Sequence, residues 1–217
     1  MMHSVKVIQR CRTPRGELQL QQRGEEFEII SNGCFLMSTV NGESEQLLVR
    51  LAIQDSAAPR RILIGGLGVG YSLGEALRFQ EVEQVTVVEI EEQVIQWNRH
   101  YLRSYSGDGL DHPRTRVVHG DIKNWLEKSR EKFDVVCMDT DNGPDWTVFE
   151  GNKALYGEWG LRLIHNRLSE NGVASFWSAS ASSKFSNRLK SVFASVKEIP
   201  VPVEKGEPDY IYLCHRR

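Results

Sequence analysis

One glycine run, Gly65-Gly66-Leu67-Gly68-Val69-Gly70, and three acids, Glu89, Asp121 and Asp139, are the residues whose kind and spacing suggest chemistry. Glycines tolerate positive φ and let a ligand approach the backbone with no Cβ in the way. A helix starting after such a loop turns its free N–H groups toward that ligand. Glu89 follows about 20 residues later, where a carboxylate can accept both hydroxyls of a ribose. Tyr71 stands where a dinucleotide fingerprint needs glycine or alanine, so the pattern is GxGxG. Asp121, in His119-Gly120-Asp121, adds an acid that can accept the exocyclic amine of adenine. Loop, Glu89 and Asp121 together favour an adenosyl ligand without a pyrophosphate, of the S-adenosylmethionine (AdoMet) type. The expected cofactor-binding set is Gly65, Gly66, Gly68, Gly70, Glu89, Ile90, Asp121 and Ile122. The competing reading makes Glu89 and Asp121 solvated turn or helix-capping acids.

Further along, Asp139-Thr140-Asp141-Asn142-Gly143-Pro144-Asp145-Trp146 places three carboxylates at the rim of the same pocket. A local anionic site suits a cationic partner such as an amine or a sulfonium. Asp139 and Asp141 are the expected catalytic pair: a carboxylate here can hold an amine in line with an electrophilic carbon and take its proton. Trp146 can wall a cation with its ring. Otherwise Asp139 and Asp141 cap the following segment and Asn-Gly-Pro is only a turn. No metal is expected, since the six histidines lack HxxxH or HxH spacing and the four cysteines stand singly.

These residues need strands that end in acids. Arg61–Ile64, Val85–Val88, Thr115–Val118, Phe133–Met138 and Gly172–Ser178 are short apolar runs. Helical stretches separate them: one through Leu77, then Glu91–Tyr105, Ile122–Glu131 and Ala154–Leu168. A helix over Lys184–Val196 follows, with Val196–Val201 and Asp209–His215 as closing strands. Apolar strands alternating with amphipathic helices give a doubly wound, mostly parallel α/β sheet, whose ligands bind beyond the carboxyl ends of the strands. The glycine loop, Glu89, Asp121 and Asp139 all follow strands directly.

Residues 1–55 differ in character. Glu17–Arg23, Phe27–Ser31 and Cys34–Val40 read as strands joined at Arg23-Gly24 and Asn32-Gly33, the second a strong hairpin signal. A helix over Ser44–Gln54 follows. The expected division is a small antiparallel β layer plus helix over 1–55 and a nucleotide-binding domain over 56–217. Trp97, Trp125, Trp159 and Trp177 are expected in the core.

The chain has 217 residues, 40% hydrophobic and 26% charged, with a net charge of −2. That balance offers no basic field for nucleic acid. There is no apolar run of membrane-spanning length and no signal-peptide core, so a cytoplasmic protein is expected.

The runs Arg61–Gly70, Val87-Val88-Glu89-Ile90, Arg116–Asp121 and Phe133–Asp139 resemble the spermidine synthase (polyamine aminopropyltransferase) family, and the hairpins and helix of residues 17–53 are similar to its N-terminal β domain. The resemblance implies a class I methyltransferase-like Rossmann fold with a seven-stranded sheet. It also implies Glu89 on the ribose, Asp121 on the adenine, Asp139 on an attacking amine, and a homo-oligomer, commonly a dimer. Val69 stands where the family's loop carries an aspartate for the amine of decarboxylated AdoMet, and Ser44-Glu45 where it carries polar residues of the polyamine pocket. On that departure the expected reaction is methyl transfer from AdoMet to a small cationic acceptor. The alternatives are aminopropyl transfer from decarboxylated AdoMet, and a nucleotide-binding paralogue without turnover.

Overall fold

Strands covered on both faces read as largely apolar runs, and β5 (Arg61–Gly65) and β6 (Gln84–Glu89) are buried at every residue but the first. In the computed structural model, which describes residues 4–140, 143–145, 150–203 and 206–216, they lie side by side in a seven-stranded sheet. The other members are β7 (Thr115–His119), β8 (Phe133–Met138), β9 (Leu168–Ser178), β10 (Ser195–Val201) and β11 (Asp209–His215). The order is β10-β11-β9-β8-β5-β6-β7. β5 to β9 pair in parallel, while β11 runs antiparallel to β9 and β10. From β5 the chain builds outward through β6 and β7, then returns to lay β8 on the other flank of β5. That reversal opens a crevice beside β5, where doubly wound sheets bind ligands.

Ahead of it, β1 (Val5–Thr13), β2 (Gly16–Arg23), β3 (Glu26–Ser31) and β4 (Cys34–Ser38) form an antiparallel meander. Asn32 and Gly33 both take positive φ, 49° and 77°, as the Asn-Gly signal demands. Leu18, Leu20 and Ile29 on the inner face join one buried cluster with Ile62 and Ile64 of the large sheet. The helix α1 (Glu43–Asp55) packs on β8, β9, β11 and on α2 (Tyr71–Leu77), so it covers the large sheet rather than the meander. The remaining helices are α3 (Glu92–His100), α4 (Ile122–Lys128), α5 (Glu158–His165) and α6 (Ser183–Val192). No helix among the described residues is long and apolar enough to cross a membrane.

Several elements differ from expectation in their ends. The helix expected over 91–105 stops at His100 and gives way to a 3-10 turn at Arg103–Ser106, because Gly107 turns left-handed (φ 61°) and sends the chain back toward β7. That over 122–131 stops at Lys128, since Ser129 is extended and Glu131 turns to Arg61 and Arg116. α5 begins late, after the extended Gly157, and α6 stops at Val192 because Phe193 is extended. β9 begins early, at Leu168, and its pairing with β8 shifts register before Val173, where Asn171 takes φ 60°. Trp159 is 49% exposed and so is not the core residue expected, while Trp177 packs half-buried against the core and also lines a cavity.

Candidate active site

The crevice beside β5 is a cavity whose floor is made by the strand ends and whose roof is the meander. Gly66 and Gly68 of the loop, Glu89 and Ile90 after β6, Asp121 and Ile122 after β7, and Asp139 after β8 all line it. Seven of the expected site residues are thus brought together. Gly65 and Gly70 shape the loop but do not line the cavity. Asp141 and Trp146 lie outside the described residues.

Close packing explains the loop glycines. Gly66 has φ +94°, and a Cβ there would overlap the carbonyl oxygen of Asp139. At Gly68 (φ +52°) a Cβ would overlap the Met37 sulfur, which the meander sets over the loop. Asn98 of α3 donates from Nδ2 to the Gly68 carbonyl (2.7 Å) and fixes the loop from behind. Val69 is fully buried and absent from the cavity wall. The position expected to face a ligand's amine therefore faces the core, and the cavity side of the loop carries no side chain.

Glu89 is only 7% exposed. Its two carboxylate oxygens accept from the backbone N–H groups of Leu67 and Glu91, each at 2.8 Å. Burial pushes its pKa up, against those two hydrogen bonds. Both bonds clamp it between the glycine loop and the turn after β6, with lone pairs still available to a ligand. Asp121 caps α4, accepting from Asn124 N at 3.0 Å, and lines the cavity as well. The capping and ligand-facing readings of this residue are compatible. Asp139 accepts from Ser72 Oγ at 3.0 Å. Burial pushes its pKa up to about 6, with the Ser72 bond opposing and the Glu89 charge adding.

Glu45, Glu91, Thr140, Asn152, Trp177 and the apolar Leu18, Ile29, Leu36 and Met37 also line the cavity, and none was in the expected set. Glu91 lies two residues past Glu89 and pairs with Arg15 (2.7 Å), which also donates to the Ile90 carbonyl and so pins the β1–β2 hairpin to the cavity rim. Glu45 stands in the first turn of α1, the position already set against the family's polar pocket residues. The apolar wall comes from the meander, and no local motif announces it.

Five carboxylates therefore line the cavity, Glu45, Glu89, Glu91, Asp121 and Asp139, and no lysine, arginine or histidine does among the described residues. Such a wall favours cationic ligands and disfavours anionic ones.

The sheet order, the crevice and the strand-end acids define a class I methyltransferase-like Rossmann fold. A family model described as the spermine/spermidine synthase domain matches residues 43–200, and the chain belongs to that family. It is 36% identical over 117 residues to a polyamine aminopropyltransferase of Thermococcus onnurineus, a match covering 53% of this chain and 39% of that one. To the polyamine aminopropyltransferase of Yersinia pseudotuberculosis it is 27% identical over 169 residues, 74% of this chain and 57% of the relative. The chain thus spans well under two thirds of those relatives' length. A spermidine synthase crystallised with the transition-state analogue AdoDATO superposes with TM-score 0.80 at 19% identity, covering 98% of this chain and 73% of that one. The spermidine synthase of Thermotoga maritima gives 0.79 at 19% identity, over the same shares of each chain.

Proposed function

We propose that this chain is an aminopropyltransferase that moves the aminopropyl group of decarboxylated AdoMet to a small amine. The observation that carries this reading is the cavity wall of five carboxylates, lined by no lysine, arginine or histidine among the described residues, with Glu91 alone ion-paired, to Arg15 at the rim. AdoMet and its decarboxylated form share the sulfonium and the amine and differ by one carboxylate. An anionic wall repels that carboxylate and welcomes the form lacking it. The family to which the chain belongs, and relatives named polyamine aminopropyltransferases, support the same choice. Methyl transfer, the reaction expected from Val69, loses its footing because Val69 does not face the cavity.

In this reading Glu89 accepts the ribose hydroxyls, Asp121 the adenine amine, and Asp139 holds the attacking amine. Gly66 and Gly68 let the nucleotide approach the backbone, and Ile90 and Ile122 pack on it. Leu36 and Met37 give the thioether side an apolar, water-poor surface, which suits a displacement at a carbon bonded to sulfonium. Proximity supplies much of the acceleration in such a step.

The test is turnover. Purified protein, decarboxylated AdoMet and a diamine should release methylthioadenosine and a longer polyamine, while AdoMet with the same amines should give no methylated product. Methylated amine from AdoMet, with no methylthioadenosine from the decarboxylated form, would overturn the reading.

A further inference from the structure

Glu91 carries a cavity carboxylate to which neither the ribose nor the amine assigns a task. It is the N-cap of α3, where an acidic side chain can accept from the free N–H groups of the first turn, yet it makes no such bond. It turns instead to the β1–β2 hairpin. Arg15 Nε donates to Glu91 Oε1 at 2.9 Å, and a terminal guanidinium nitrogen stands 2.7 Å from the same oxygen. Thr13 Oγ1 donates to that oxygen as well, at 3.2 Å. The pair is largely withdrawn from water, with the Glu91 side chain 8% and the Arg15 side chain 25% exposed. Arg15 also donates to the Ile90 carbonyl at 2.9 Å. Its own backbone is held in turn, because Asn32 Nδ2 donates to the Arg15 carbonyl at 3.1 Å.

Ile90 and Glu91 are the two residues that follow Glu89, and the Glu91 N–H is one of the two donors that orient the Glu89 carboxylate. An arginine of the meander thus grips, by side chain and by backbone, the turn that sets the ribose acid. Charge acts in the same direction. Burial is the first cause that raises the Glu89 pKa; the Glu91 charge adds to it and the Arg15 charge opposes it. Without Arg15, Glu91 is an uncompensated carboxylate two residues from Glu89. Removing one partner of a buried ion pair costs far more than removing both.

We propose that Arg15, acting through Glu91 and the turn after β6, holds the Glu89 carboxylate ready for the ribose hydroxyls, so that the meander is part of the nucleotide site as well as its roof. This rests on the reading of Glu89 as the ribose acceptor. Arg15 does not line the cavity, so it is a positioning residue.

The experiment is calorimetric titration with methylthioadenosine, which has the ribose and the adenine but no charge, so that general attraction between the acidic cavity and a cation does not enter. Arg15→Ala should weaken this ligand by about tenfold, the scale of one charge-assisted hydrogen bond. Arg15→Lys keeps the charge without the guanidinium fork and should recover part of the loss. The double variant Arg15→Ala/Glu91→Gln strands no carboxylate and should also bind more tightly than Arg15→Ala. These two variants carry the comparison if Arg15→Ala fails to fold. The 2′-deoxy analogue offers Glu89 one hydroxyl fewer, so Arg15→Ala should weaken it less than it weakens methylthioadenosine. Equal losses for the two ligands would overturn the proposal, because the hairpin would then only support the roof. So would a double variant no better than Arg15→Ala. A wild type that does not bind methylthioadenosine overturns the nucleotide reading itself; a binding wild type with an indifferent Arg15→Ala overturns this proposal alone.

Discussion

Glu89 and Asp139 illustrate how a single strand-end carboxylate is committed by its neighbours. Glu89 has two backbone N–H donors and almost no exposure, so its orientation is set before any ligand arrives. Replacing it by Ala removes a charged acceptor and strands both donors. A charge-assisted hydrogen bond contributes roughly 1.5–3 kcal/mol, so nucleotide affinity in Glu89→Ala should fall by about 10- to 100-fold, read by calorimetry. In the proposed reaction Asp139 has a different task, and its isostere should show a different defect. Asp139→Asn should keep nucleotide affinity while turnover drops by about 100-fold or more, because the attacking amine loses the group that holds it in line. Nucleotide affinity lost in Asp139→Asn would place this residue in the nucleotide subsite instead.

At the scale of elements, the loop between β5 and α2 depends on what the neighbouring strand and the meander bring to it. Gly66→Ala combines a left-handed φ with an overlap on the Asp139 carbonyl, so the protein should lose at least about 1–3 kcal/mol in urea unfolding. The link between α4's exit and the sheet is electrostatic: Glu131 accepts from Arg116 and Arg61 at 2.8 Å each. The Arg116 hydrogen bond, against burial, holds Glu131 below its ordinary value, with Arg61 adding to it. A depressed carboxylate stabilises the fold above its unfolded pKa, and that stability is lost as pH falls through the folded value. All three side chains are about a third or more exposed, so Glu131→Gln should cost no more than about 1 kcal/mol at pH 7 and nothing measurable once the acid is protonated. Denaturant titrations at both pH values check this. The strands were legible because a sheet covered on both faces writes itself as apolar runs, and Asn32-Gly33 marked its hairpin directly. β1 was not separately legible: its residues are mostly polar and lie at an edge, where no burial pattern is imposed. Of the site, the acids at strand ends were visible because topology fixes them. Trp177, on β9, reads only as core, Glu45 is marked only through the family resemblance, and the apolar roof is not visible because the meander that folds over the crevice obeys no local spacing.

For the whole molecule, the carboxylates of the cavity set a pH dependence opposite to that of surface acids. Glu45 and Asp139, and Glu89 with them, are raised above their ordinary values, chiefly by burial. A raised acid binds more protons folded than unfolded, so stability falls as pH rises from about 4 through the folded values near 6 and 7. His165 acts in the opposite sense over part of this window, because burial holds it below its ordinary value. The comparison of wild type with Glu45→Gln isolates the cavity's share. The melting temperature of wild type should drop more between pH 5 and 8 than that of the variant, and a polyamine should narrow the gap. Equal pH profiles would mean that Glu45 carries no charge penalty in the fold. A chain of net charge −2 thus concentrates negative charge where a cationic substrate pair would sit.

The cavity proposed here should select a nucleotide without a carboxylate. Calorimetric titration of one preparation with decarboxylated AdoMet and with AdoMet, in the same buffer and salt, tests it most directly. Tighter binding of the decarboxylated form, by about tenfold or more for one repulsive charge worth about 1.4 kcal/mol, is the result predicted. Equal or tighter binding of AdoMet would contradict the claim and return the site to methyl transfer.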